Sequence, residues 1–530
     1  MLLIQNVMYA HPNKDVLFEN ISLSLQKGEK TALVGANGTG KSSLLQLILE
    51  PSLCKHGFIS VDSKPLFIPQ NAGQFQEHTV SELLGVHSKL KALKAIEQGD
   101  VSQENLDILQ DDWLIEERIK LVFQKWNLGE IDFERRLSSL SGGQKTKMLL
   151  SGIDISHHDF ILMDEPTNHL DLKSRRILYD WIQETSKTIL CVSHDRNLLS
   201  IMGSIHELSK HGISKYGGNY AFYQQQKKVE REALVRQIDE AQKSLKKAKI
   251  LERETLERKQ KRDARGRKKQ EKAGTPLVMM HKMKNDAENS AARLKDDHQE
   301  KINQLTDELE LLKTQMPALD TIRFGLKASD LYKGKCLFKA EQLQISRNQK
   351  ALFNQSLDLE ILHGERIAIK GNNGSGKSSL IQVILDELDT YSGEVLRSPF
   401  SSVYVDQEYS LLYNEKKIGE QAQYFNEKML PESVIKTRLH QFLFDETTWM
   451  KPCANLSGGE RMRLTLCCLT LQETAPDCIV LDEPTNNLDI QNVEVLTRVM
   501  KHFQGTLIVV SHDEQFLKEI GIQKEVLLGE

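Results

Sequence analysis

The chain has 530 residues, of which 39% are hydrophobic and 27% charged, a length that predicts two to four domains. No apolar run reaches the ~18 residues that span a bilayer. The seven cysteines show neither a Cys-x-x-Cys pair nor a metal-ligand spacing, so a channel, a disulfide framework and a zinc module are excluded.

The start, "MLLIQNVMYA", lacks a basic n-region and a long apolar core and reads as a strand rather than a signal peptide. Reduced thiols in the cytoplasm are expected. Gly35-x4-Gly40-Lys41-Ser42 follows the apolar run "TALV" and precedes the helix-like "SLLQLIL". This strand–loop–helix context is that of a phosphate loop. Its glycines, with Asn37 and Ser43, let backbone amides curl around phosphate oxygens, and the helix N-terminus adds positive potential. Lys41 is expected at the β/γ-phosphates and Ser42 on Mg²⁺. Further on, "ILMDEP" ends a buried-strand pattern with Asp164, placed for Mg²⁺, and Glu165, placed to deprotonate the attacking water. His194 closes the strand pattern "TILCVS" and is expected at the γ-phosphate.

After "YGGNYAFY" the character changes. Residues 224–320 carry 24 Lys/Arg against 18 Asp/Glu, and 243–284 carry 16 against 5, in a chain whose net charge is −4. Apolar residues step by three or four through Leu234, Ile238, Ala241, Leu245, Ala248 and Leu251. They do so again through Ile302, Leu305, Leu309, Leu312 and Met316, a helical seam of coiled-coil type. Gly274 and Pro276 interrupt it. The spacing predicts an antiparallel helical hairpin over 224–320 with its tip near 266–284. A local basic field on an otherwise acidic chain points to a polyanionic partner, nucleic acid being one reading, with Lys261, Arg262, Arg265, Arg267, Lys268, Lys269 and Lys272 as the candidates facing it. A solvated helix face is the plainer reading of the same charge.

The rest repeats the beginning. "IKGNNGSGKSS" returns the phosphate loop, with Gly371, Asn373, Gly374, Gly376, Lys377, Ser378 and Ser379 in the matching places. "IVLDEP" returns Asp482 and Glu483, and "VSHD" returns His512. "LSGGQ" (Ser141, Gly142, Gly143, Gln144) returns as "LSGGE" (Ser457, Gly458, Gly459, Glu460). The stretch before this element has 69 residues in the first copy (71–139) and 48 in the second (408–455), which predicts a short helical insertion near 86–112. The domains are therefore expected at 1–223, 224–320 and 321–530.

Together these motifs resemble the ATP-binding cassette superfamily. The expected fold is α/β: two P-loop ATP-binding cassette domains, each a mixed sheet core plus a helical subdomain, joined by a long antiparallel helical hairpin. The resemblance implies that the cassettes pair head to tail within one monomer, each ATP lying between the glycine loop of one and the LSGG of the other. It also implies Mg²⁺ and water contacts for Gln70 ("FIPQ") and Gln407 ("YVDQ"), and makes Tyr9 an adenine-stacking candidate or else a core aromatic. The second copy has no aromatic in "LQIS". The tandem arrangement, the basic linker and "PTNHLD"/"PTNNLD" resemble the ABC-F proteins. That resemblance implies a ribosome partner, engaged near the tRNA exit site. The linker tip would act near the peptidyl-transferase centre, in translation regulation or antibiotic protection. The alternatives are an ATP-switched DNA- or RNA-structure binder, and the ATPase subunit of an importer whose channel is a separate chain.

Overall fold

A computed structural model describes residues 1–10, 16–168, 170–273, 296–313, 331–347, 350–353, 355–372, 374–388, 391–486 and 488–528. The chain divides into two units, Met1–Tyr223 with Thr321–Glu530, and Gln224–Asp320.

The first unit holds two α/β assemblies of the same plan. In the N-terminal one, β1 (Leu2–Ala10), β2 (Val16–Leu25) and β4 (His56–Val61) form an antiparallel sheet. β3 (Lys30–Val34), β5 (Leu66–Ile68), β6 (Phe160–Asp164), β7 (Thr188–Val192), β8 (Ser204–Ser209) and β9 (Gly212–Tyr216) form the central sheet. Its order is β5-β6-β7-β3-β8-β9, parallel except at the β8–β9 edge. All five residues of β6 and of β7 are buried. Parallel strands covered on both faces need such unbroken apolar runs, whereas β2 alternates buried and exposed positions along most of its length because one face meets solvent. Two clusters sandwich the sheet. One packs β1 and β2 on α1 (Lys41–Leu49). The other packs the helical layer: α2 (Val80–Leu83), α3 (His87–Glu97), α4 (Gln103–Leu109), α5 (Ile115–Lys125) and α6 (Gly142–Ile155), with α7 (Leu172–Glu184) and α8 (Arg196–Ser200). The segment expected as an insertion near 86–112 forms α3 and α4. It is not a loose appendage, because Leu90, Leu93 and Leu109 are buried in this core.

The linker enters through α9 (Tyr220–Ala273), whose first turn packs Tyr220 and Tyr223 into the same core. In the second unit α9 meets the helix over 296–313, α10. Ile238, Ala241 and Leu309 are buried together, flanked by Leu234, Leu245 and Leu312. Full burial of an Ile or Leu stabilises by about 1.5–3 kcal/mol, modest for a helix of 54 residues. The remainder of α9 rests on its Lys, Arg, Glu, Gln and Ala content and on pairs one turn apart such as Arg253–Glu257 and Arg258–Glu254. The helix continues to Ala273, into the stretch expected to form the tip. Residues 274–284 of that tip lie outside the described residues.

The C-terminal assembly repeats the plan. β10 (Cys336–Arg347), β11 (Lys350–Ala351), β12 (Leu357–Leu362) and β14 (Tyr391–Arg397) form the antiparallel layer. β13 (Arg366–Gly371), β15 (Ser402–Val405), β16 (Cys478–Asp482), β17 (Thr506–Val510) and β18 (Lys524–Leu528) form a parallel sheet in the order β15-β16-β17-β13-β18. Around them lie α11 (Lys377–Ile384), α12 (Ile418–Tyr424), α13 (Glu432–Gln441), α14 (Gly458–Leu471), α15 (Ile490–His502) and α16 (Glu514–Glu519). Ile490, at the start of α15, joins the core of the N-terminal assembly, so the two assemblies share packed surface. Among the described residues no helix is long and apolar enough to cross a membrane.

Candidate functional site

Both phosphate loops end on a glycine in the left-handed region, Gly40 (φ 92°) and Gly376 (φ 91°), each capping the helix that follows. A Cβ at Gly40 would lie 2.8 Å from the Phe18 ring, and one at Gly376 3.0 Å from Phe353. Only glycine meets both demands. Lys41 Nζ donates to the carbonyls of Gly35 (2.8 Å) and Ala36 (3.1 Å), and Lys377 Nζ to those of Gly371 (2.9 Å) and Asn372 (3.0 Å). Burial lowers the pKa of both amines. Each ammonium donates to loop carbonyls while nearby carboxylates act on it without a direct bond, so it can exchange those carbonyls for the stronger acceptors of a bound anion.

The first cleft, of about 410 Å³, is lined by Leu17, Asn37, Gly38, Gly40, Lys41, Ser42, Ser43, Gln70, Asp164, Glu165, Val192, His194 and Ser457. Twelve of these belong to the N-terminal assembly, and Ser457 comes from the LSGG of the other. The amide of Asn37 donates to Asp489 Oδ2 at 3.0 Å, a second crossing. The second cleft, of about 290 Å³, is lined by Leu352, Gly374, Gly376, Lys377, Ser378, Ser379, Gln407, Asp482 and Glu483. Neither His512 nor any residue of the first LSGG is among its described lining. Asn373 lies outside the described residues.

Glu165 and Glu483 leave their strands with φ of 48° and 49°, strained for side-chain-bearing residues. Each is held by its own amide, which donates to Val192 and Val510 respectively at 2.8 Å. Burial pushes Glu165 up to about 8, with Lys41 opposing. It pushes Glu483 up to about 7, with Arg175 and Lys377 opposing. His194 Nε2 lies 3.5 Å from Glu165 Oε1, and His512 Nε2 lies 3.3 Å from Glu483 Oε1. Burial keeps His194 well below its ordinary pKa and brings His512 down to about 4, so both rings are neutral near pH 7. Glu165 Oε1, Glu483 Oε2 and both ring nitrogens of His194 are buried without a hydrogen-bond partner. Such atoms are rare unless a bound group completes them.

The expected cation ligands gather as hard oxygen donors. Ser42, Gln70 and Asp164 line the first cleft, and Ser378, Gln407 and Asp482 the second. Ser378 Oγ donates to Asp482 Oδ2 at 3.4 Å. Burial raises both aspartates, as desolvation does for any carboxylate. The donor set therefore fits Mg²⁺.

The two LSGG serines are N-caps. Ser141 caps α6 and Ser457 caps α14, each in a reciprocal box with Gln144 and Glu460. Burial works to raise Glu460, but the Ser457 amide and hydroxyl together with Lys451 win and hold it low. Gly142, Gly143, Gly458 and Gly459 open these helices without lining either cleft. Tyr9 does not line the first cleft either. Its ring lies 6.0 Å from that of Phe18. Lys261, Arg262 and Arg265 are exposed on α9. Arg267, Lys268, Lys269 and Lys272 fall within the same helix.

Sequence reasoning missed three features. Leu17 and Leu352 form matching aliphatic walls, and their common signal is the "LF" that recurs before each glycine loop. Asp171 and Asp489 cap α7 and α15 and were visible in the repeated "NHLD" and "NNLD". Tyr404, whose hydroxyl donates to Asp482 Oδ2 at 2.9 Å, stands where the first copy has Phe67, and no repeat betrays it.

Residues 18–168 and 354–486 each match the family described as "ABC transporter". YdiF of Bacillus subtilis (strain 168) is 30% identical, over 98% of this chain and 79% of that protein. The ribosome protection protein VmlR of the same organism is 28% identical, over 99% and 86%. A solved structure of an RNase-L inhibitor superposes with a TM-score of 0.60 at 19% identity, over 99% of this chain and 88% of that one, which establishes the shared fold.

Proposed function

Because the chain belongs to the ABC-F group of tandem ATP-binding cassette proteins, and is thus an ABC-type ATPase, we propose that it is a cytoplasmic Mg²⁺·ATP-driven clamp that binds the ribosome. The glycine loops cradle the phosphates of one ATP in each cleft. Lys41 and Lys377 exchange their own loop carbonyls for β/γ-phosphate oxygens. Ser42, Gln70 and Asp164 would hold Mg²⁺ in one cleft, and Ser378, Gln407 and Asp482 in the other, where it would supply charge neutralisation of the phosphates. Glu165 and Glu483 take the proton of the attacking water, and His194 and His512 orient on the γ-phosphate. Ser457, with Gly458, Gly459 and Glu460, covers the first ATP, and Ser141, Gly142, Gly143 and Gln144 the second. Closure therefore depends on the γ-phosphate, and hydrolysis releases it.

The observation that carries this reading is the first cleft, where Ser457 and the Asn37–Asp489 bond bring one cassette onto the nucleotide loop of the other. For the partner, the support is the likeness to a ribosome protection protein along 99% of this chain and the basic α9. Its Lys261–Lys272 stretch follows rRNA and tRNA phosphates without sequence preference, and the tip beyond it reaches toward the peptidyl-transferase centre. The outcome is translation regulation or antibiotic protection. The test is co-sedimentation of the Glu165→Gln/Glu483→Gln variant with ribosomes in ATP and in ADP. ATP-dependent trapping is expected. A variant that binds ATP and stays off ribosomes refutes the partner and turns the search to branched nucleic acid or a membrane partner.

A further inference from the structure

The residues that follow the two switch histidines meet in a buried cluster of charge. Asp195 caps α8, accepting from the amides of Asn197 and Leu198. Its Oδ2 accepts from the Tyr179 hydroxyl at 2.5 Å and lies 3.6 Å from Arg175 Nη1. The next residue, Arg196, has a side chain only 2% exposed and donates to Glu519 Oε2, on α16 of the other cassette, at 2.8 Å. Asp513, which caps α16, is acted on by Arg196, Asp195 and Glu519 together.

The pair is built in one direction only. The second copy has Glu514 where the first has Arg196, and the first has Ile201 where the second has Glu519. The mirror-image contact would set Glu514 against Ile201, and Glu514 is in fact exposed. Arg196 is desolvated while Glu519 is 36% exposed, so separating the two elements would leave the guanidinium buried without its carboxylate, and the pair favours the geometry that keeps them together. Here one element carries His194, two residues before Arg196, and the other belongs to the opposite cassette.

We infer that Arg196 is a positioning residue of the first ATP site: its pair with Glu519 locks the switch that carries His194 to the second cassette. Turnover at the first site is thereby tied to cassette closure, and turnover at the second lacks this tie. The inference rests on the reading of Glu165 and Glu483 as the two bases, which allows each site to be isolated.

The experiment measures ATP hydrolysis by the full chain in two backgrounds, Glu483→Gln, where the first site turns over, and Glu165→Gln, where the second does. In the first background, Arg196→Gln and Glu519→Gln are each expected to lower kcat on the order of tenfold or more, with KM for ATP little changed, as misplacement of a catalytic element does. Their combination is expected to cost no more than either alone, Arg196→Lys to retain part of the rate, and the swap Arg196→Glu/Glu519→Arg to restore most of it. In the second background the same changes are expected to have the smaller effect. Equal losses in both backgrounds, additive losses, or a swap that restores nothing while the variants melt as the parent does would overturn the inference. A Glu165→Gln/Glu483→Gln chain that hydrolyses ATP at the parent rate would instead show the base assignment to be at fault.

Discussion

His206 offers a quantitative test of the packing around the first site. It lies on β8, in register with Leu33 of β3 two residues before Gly35. It is 2% exposed, and neither ring nitrogen has a hydrogen-bond partner. Burial, and then Lys215, bring its pKa from 6.5 down to about 4. The fold thus holds the imidazole neutral, while the unfolded chain takes up a proton as the pH falls through 6.5. Between these values the unfolded state binds more protons, so stability falls as the pH falls. At 1.36 kcal/mol per pH unit the full loss is about 3 kcal/mol by pH 4, of which about 2 kcal/mol has gone by pH 5. The matching residue of the second copy is Val526, in register with Ile369, so the site accepts an apolar branched side chain. His206→Val is expected to be as stable as the parent near pH 7, or up to about 1 kcal/mol more so, since it removes an unsatisfied buried polar group. Its advantage should widen by about 2 kcal/mol at pH 5. The assay is urea unfolding of both proteins between pH 4.5 and 7.5. Other groups titrate alike in the two, so the difference isolates this ring. A difference that stays flat across that range would refute the reasoning.

Other perturbations test the clefts and the linker. Tyr404→Phe removes the hydroxyl that holds Asp482 and copies Phe67 of the first site; the Mg²⁺ concentration for half-maximal hydrolysis in the Glu165→Gln background should rise roughly tenfold, read by metal titration. Gly40→Ala forces a Cβ onto Phe18 at a φ of 92°. It should cost about 1–3 kcal/mol and abolish nucleotide binding at that site, read by thermal melting and by fluorescent-nucleotide titration. Replacing Lys261, Arg262 and Arg265 with alanine should lower the slope of log K against log salt for ribosome binding by about 2. An unchanged slope would remove these residues from the interface.

How far the sequence reads depends on how local each feature is. The phosphate loops, Asp164–Glu165 and Asp482–Glu483 were legible because their chemistry lies in a few consecutive backbones. A glycine that must take positive φ, or an acid that must end a buried strand, leaves its mark at a constant spacing. Duplication wrote those marks twice, and the seam from Leu234 onward announced α9 by its period alone. What lay beyond were relations between distant segments. That Ser457 lines a cleft built from residues 17–194 was implied only by the resemblance carried by its LSGG motif, and not by local chemistry, because it depends on how two cassettes pack. The Tyr404–Asp482 bond joins neighbouring strands, and Arg196 meets Glu519 across 323 positions. Tyr9, chosen for its ring, lies beside Phe18, while Leu17 and Leu352 wall the clefts. By itself the sequence determined the fold and the chemistry of each half, since local geometry and burial pattern encode them. Only the tertiary structure decided which residues of one half meet which of the other. A buried charge such as Arg196 takes its meaning from the partner it meets, and that partner is chosen by packing.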